Sequence, residues 1–284
     1  MRQKRRRKSR NLNRTNNCSF NNSSYKVKHL NLNKTNNNAQ IKHNTNKITR
    51  NTYNLIHTIE RDCSFLKNEK GLSLVAFNAG SMFEKTVDIF LNVSSHKPDM
   101  FFITETWLNP ALNINNNIYF EGFNCYRQDR NILYDNFTYK KGGGIAAYIN
   151  ENYIVDIIKE KCITNNVDIE LMHISVKAKK LKKYFITIIY RPPSGTSVKN
   201  FFKILKEHLN NINHKDNHIF LGDFNIDFTY SDKQGTAANK LKNTMISSGF
   251  TQLINSVTRN VGDSSTIIDL IFVNTLNQEQ FYIR

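Results

Sequence analysis

Ile219-Phe220-Leu221 runs directly into Gly222-Asp223-Phe224-Asn225. Three consecutive apolar residues predict a buried strand, and the polar residues mark its end. Side chains alternate faces along an extended segment, so Asp223 and Asn225 point the same way. Gly222 allows something to approach the backbone closely. A carboxylate and a carboxamide are thus presented side by side at a strand end. One can take a proton or hold a metal, and the other can donate and accept hydrogen bonds. That pairing suits orienting a water against a phosphate.

Other strand ends carry similar residues. Leu72 to Phe77 is a short apolar strand ending at Asn78. Met82 to Ser95 carries Phe83, Val87, Phe90, Leu91 and Ser94 at helical spacing. Asp99 to Thr104 is a second buried strand, ending at Glu105. Gly142-Gly143-Gly144 leads into the strand-like Ile145 to Ile149, and further strands are expected around 169–176 and 184–190. The last of these ends at Tyr190, before Arg191 and a proline pair that cannot continue a ladder. Helices are expected from Val198 to Leu209 and from Ala237 to Ser247, and a last strand from Thr266 to Val273. That strand holds Asp269 between apolar neighbours, and a buried carboxylate needs a cation, a metal or strong donors. The apolar runs are rich in Val, Ile and Phe rather than cleanly alternating, as in sheets covered on both sides. An α/β fold follows, with a mixed sheet or a pair of sheets covered by helices.

Charge divides the chain. Its 284 residues carry a net +17, but residues 1–70 hold 17 Lys and Arg against 3 Asp and Glu. The remainder holds 23 against 20, so the basic character belongs to the head and not to the body. Residues 1–54 open with Lys4-Arg5-Arg6-Arg7-Lys8, and fourteen of residues 11–51 are Asn. That composition predicts disorder, with a short helix expected from Tyr53 to Leu66. The basic run reads equally as a nuclear-import signal, a phosphate-binding arm or a biased leader without a role. Cys18, Cys63, Cys125 and Cys162 are scattered without metal-ligand spacing, which fits a reducing, intracellular setting. No stretch approaches the roughly 18 apolar residues that span a bilayer, so no membrane association is expected.

Six motifs in order carry a family resemblance. They are Phe77-Asn78, Ile103-Thr104-Glu105-Thr106-Trp107-Leu108, Gly142 to Ala146, Ile189-Tyr190-Arg191-Pro192-Pro193-Ser194, Gly222 to Asn225, and Ser264 to Asp269. Together they resemble an endonuclease/exonuclease/phosphatase domain of the DNase-like fold, and within it the endonucleases of non-LTR (LINE-type) retrotransposon polyproteins. The resemblance covers residues 72–284 and implies a four-layer α/β sandwich, two mixed sheets flanked by helices. It implies a Mg²⁺-dependent phosphodiesterase that nicks DNA, with Mn²⁺ as an alternative ion and no small-molecule cofactor. Glu105 would hold the metal, with Asn78 beside it. Asp223 would activate water, Asn225 and Tyr190 would bind water or phosphate, and Asp269 would orient a histidine. Arg191 and Thr258 are expected on the substrate side, and a nuclear location fits such an enzyme.

The family pattern ends in Ser-Asp-His on a further loop and strand. None of the eight histidines, of which His218 is the last, follows Asp269. The partner of Asp269 and one sheet strand are therefore expected to be missing. Three readings stay open: an active nuclease, an inactive remnant of one, or a nucleic-acid-binding module acting through the basic head.

Overall fold

The computed structural model describes residues 72–108, 118–130, 133–134, 138–139, 142–164, 166–178, 183–193 and 197–274. The Lys4–Lys8 run and the helix expected over 53–66 lie outside them. In chain order the elements are β1 Leu74–Asn78, α1 Met82–His96, β2 Met100–Thr104, β3 Phe123–Gln128 and the short arms β4 Leu133–Tyr134 and β5 Thr138–Tyr139. Then follow β6 Ile145–Asn150, β7 Tyr153–Ile157, β8 Glu170–Ala178, β9 Tyr184–Tyr190, α2 Val198–Asn210 and β10 Asn217–Asp223. The chain continues through α3 Ala237–Ser247, β11 Thr251–Gln252, β12 Arg259–Val261, β13 Ser264–Thr266 and β14 Asp269–Val273.

Two mixed sheets form, in the orders β1-β2-β6-β3 and β11-β14-β10-β9-β8-β7. Alternation along each strand splits its side chains between two cores. Met100 and Phe102 of β2 face Ile186, Ile188, Ile219 and Leu221 of the second sheet. Phe101 and Ile103 face outward, onto Met82, Ile89 and Val93 of α1. Likewise Phe220 of β10 turns outward onto Phe202 and Leu205 of α2 and Leu241 and Met245 of α3. The layers are therefore helix, sheet, sheet, helices, and the continuous apolar runs follow from burial on both faces. Ser197 and Thr236 cap the two outer helices, accepting from the N–H of Asn200 and Asn239.

Three expectations change. α1 buries Met82, Ile89 and Val93, while Phe83, Val87, Phe90 and Leu91 are 41–70% exposed. Apolar residues surround this helix, so spacing alone did not identify its inner face. The last strand begins at Asp269, not Thr266. Ser264–Thr266 pairs instead with Arg259–Val261 in an exposed hairpin, because Ile267 and Ile268 give their carbonyls to the N–H groups of Phe228 and Phe224. β3 and β7 were not anticipated, since both are sheet edges with partly exposed side chains.

Candidate active site

The strand ends predicted from sequence meet where the two sheets converge. Gly222 has φ +133°, and a Cβ there would overlap the carbonyl of Ile189. The close approach expected at this glycine is that of the neighbouring strand β9, which sets Asp223 beside Tyr190 in register. Asp223 accepts from Asn78 Nδ2 at 2.7 Å and from the N–H of Asn225 at 2.9 Å. Asn78 in turn accepts from the Gly80 N–H through its Oδ1 at 2.9 Å. Asn225 adopts φ +45°, a left-handed conformation that Asn tolerates better than most residues. Its amide donates to the carbonyl of Arg191 at 2.8 Å.

Glu105 and Trp107 both have positive φ, +54° and +56°. Such backbone persists only where its surroundings enforce it. Here the carbonyls of Glu105 and Thr106 accept from Ser81 and Met82 at the start of α1, both at 3.0 Å. On the other side the N–H groups of Thr106 and Trp107 donate to the carbonyls of Gly144 and Gly143. The turn presents the Glu105 carboxylate with both oxygens engaged. Oε1 accepts from the Tyr190 hydroxyl at 2.5 Å, and Oε2 accepts from the Trp107 indole at 2.7 Å.

Asp269 opens β14 opposite Asp223. Burial, and then the Asp223 charge, push its carboxyl above the ordinary range. Burial likewise raises Asp223, with Glu105 adding to it and the Asn78 and Asn225 hydrogen bonds opposing. Arg259, absent from the sequence-based site, is the cation that lowers both. The Tyr190 phenol is raised well above its usual value by burial and by Glu105, so it remains a donor.

Two expected substrate residues are turned inward. The Thr258 hydroxyl oxygen accepts from the N–H of Ile268 and of Asp269, at 3.0 and 3.1 Å. It fastens the hairpin to β14. Arg191 is 5% exposed, and its Nη1 donates to the carbonyl of Asn225 at 3.0 Å. With Asn225, Tyr230, Lys233 and Thr236 it lines a cleft of about 450 Å³. Arg130 and Glu170 were also missed. They form a buried ion pair beneath the glycine loop, and neither lies in a motif that composition or spacing singles out.

No group of three or more His, Cys, Asp or Glu among the described residues is arranged to hold a metal alone. A Mg²⁺ ion does not need one, because it takes one or two carboxylates and keeps its waters. Glu105 fits that demand: each oxygen receives one donor, and a carboxylate oxygen has capacity for more. No helix among the described residues is long and apolar enough to cross a membrane.

Comparison with known proteins agrees with this fold. The model of the Endonuclease/Exonuclease/phosphatase family matches residues 75–280. The endonuclease domain of TRAS1, a telomere-specific non-LTR retrotransposon, superposes with a TM-score of 0.50 at 16% identity, covering 71% of this chain and 83% of that one. The Xenopus laevis APE2 catalytic domain gives 0.52 at 14% identity, over 72% and 82%. An AP endonuclease from Archaeoglobus fulgidus gives 0.50 at 14%, over 72% and 87%. No curated protein matches the chain in sequence.

Proposed function

Because the chain belongs to the Endonuclease/Exonuclease/phosphatase family, we propose that it is a divalent-metal-dependent phosphodiesterase that nicks DNA and descends from a non-LTR retrotransposon endonuclease. One observation carries the reading. Two hydrogen bonds join the sheets at the same end, Asn78 to Asp223 and Tyr190 to Glu105. They place a potential base, a potential metal-holding carboxylate and a phenol donor in one site.

Asp223 takes the proton of the attacking water. Its raised pKa brings it closer to the working pH of a general base than an ordinary carboxylate. Asn78 and the Asn225 N–H fix the orientation of that carboxylate. Tyr190, kept protonated, supplies a hydrogen bond to a phosphate oxygen. Glu105 would hold the cation, Mg²⁺, which when bound would stabilise charge on the phosphate and on the leaving oxygen. Asp269 faces Asp223 across β10 and β14, its backbone N–H donating to the Thr258 hydroxyl oxygen. The retrotransposon assignment rests on the Glu105-Thr106-Trp107-Leu108, Tyr190-Arg191-Pro192-Pro193 and Ser265-Thr266-Ile267-Ile268-Asp269 motifs. The TRAS1 superposition supports only the fold.

Supercoiled plasmid, Mg²⁺ or EDTA, and Asp223→Ala test the proposal. Metal-dependent relaxation that the substitution reduces by about 10²–10⁴-fold is expected. A folded wild-type chain that leaves plasmid intact with Mg²⁺ and with Mn²⁺ would overturn it.

A further inference from the structure

Arg130 and Glu170 are 7% and 2% exposed, at the junction of the two sheets. A buried ion pair is costly to desolvate and is weak evidence of a stabilising role. Its surroundings give it another. Glu170 sits opposite Tyr190 in the β8–β9 register. Its Oε1 accepts from Arg130 Nε, and its Oε2 accepts from the Gly144 N–H at 2.7 Å. The Arg130 guanidinium lies so close to Gly143 that a Cβ there would overlap it. Its Cζ is also 5.6 Å from the centre of the Tyr190 ring. A point one Cβ from Gly142 lies 3.5 Å from Arg130 Nη1, 3.9 Å from Trp107 Nε1 and 4.0 Å from Glu105 Oε2. Cation, indole and carboxylate thus surround one spot.

The contacts close a ring. Glu170 and Arg130 fix Gly143 and Gly144, whose carbonyls receive the N–H groups of Trp107 and Thr106. Trp107 donates to one oxygen of Glu105, and Tyr190, packed under Arg130, donates to the other. Arg130 Nη2 is buried without a hydrogen-bond partner among the described residues.

We propose that Arg130, anchored by Glu170, is a positioning residue that aligns Trp107 and Tyr190 on Glu105 and thereby sets the affinity of the site for a divalent cation. The affinity half rests on the reading of Glu105 as the metal-holding carboxylate.

Trp107 is the only tryptophan of the chain, so its indole N–H is a private reporter of the Glu105 bond. The test uses the full chain with ¹⁵N-labelled tryptophan. Arg130→Met with Glu170→Met removes both charges together and leaves neither stranded, the case in which buried pairs are replaced at least cost. Arg130→Lys is the second variant, keeping the charge but losing the planar fork. The double variant should move the indole resonance and speed its solvent exchange by about tenfold or more. It should also weaken the Mn²⁺ midpoint, read as broadening of that resonance, by roughly 10–100-fold. Arg130→Lys should fall between it and wild type. A folded variant of either kind with the wild-type resonance, exchange rate and midpoint would overturn the proposal. If the double variant does not fold, Arg130→Lys decides on the same readouts. A wild-type indole blind to Mn²⁺ and Mg²⁺ would overturn the affinity half and the metal reading of Glu105 together, and the indole shift would still decide positioning.

Discussion

Asp223 and Asp269 face each other across β10 and β14, and directly opposed like charges repel. Both carboxyls are raised, chiefly by burial. A base must be deprotonated to act, so the rate of nicking should rise with pH along a limb that lies above the ordinary carboxylate range. Asp269→Asn removes the facing charge, which favours ionisation of Asp223, and should move that limb to lower pH. A single-turnover pH profile of both proteins checks this, and coincident limbs would count against the coupling. That Asp223, Asn225, Glu105 and Tyr190 would come together was legible because each stands at the end of an apolar run, and strand ends converge where the loops diverge. Arg259 and Glu170 were not. Each matters through a partner far away in sequence, and nothing local distinguishes Glu170 at the start of β8 from a surface glutamate.

The glycine loop before β6 explains itself once its neighbours are known. Gly142, Gly143 and Gly144 have φ of +97°, +73° and +88°, and a Cβ on the last two would meet Arg130 and Thr106. Gly262, in the turn of the exposed hairpin, has φ +58° but open space around it. Both sites penalise alanine for conformation, by about 1–2 kcal/mol. Only Gly143→Ala must also displace a buried guanidinium. Urea denaturation should therefore show Gly143→Ala losing roughly 1–3 kcal/mol more than Gly262→Ala, a range typical of overpacking. Equal losses would mean that Arg130 yields freely. From sequence the triple glycine marked only the entry to a strand, and nothing local pointed to Arg130 or Thr106. The strands themselves were readable where both faces are buried, as in Met100–Thr104 and Tyr184–Tyr190. Tyr153–Ile157 escaped notice because it is an edge, where exposed and half-buried positions mix.

Over the whole molecule, one strand carries opposite pH dependences at its two ends. Near the start of β10, His218 joins His173 of β8 and His208 of α2 in a buried cluster on the outer face of the second sheet. Burial lowers all three, His173 to about 3 and His208 to about 4, with Lys161 and neighbouring histidines adding to it. Their folded values lie below the unfolded one, so the unfolded chain binds more protons and stability is lost as pH falls below about 6.5. By pH 5 that amounts to about 2 kcal/mol for His173 and for His208, with His218 adding in the same direction, against a total stability of about 5–15 kcal/mol. At the other end of β10, Asp223 and Asp269 have folded values above their unfolded ones. They favour the fold as pH falls, and stability from them is lost as pH rises from about 4 through their folded range. The acidic pair therefore offsets part of the histidine loss. Urea denaturation of wild type between pH 7.5 and pH 5 should show a net fall. Asp269→Asn, which removes Asp269's share of the offset but leaves the histidines, should fall further, by about 2 kcal/mol. Parallel curves would show that the two carboxyls ionise in the fold much as they do in the unfolded chain, and a flat wild-type curve with a flat variant would show the same of the histidines.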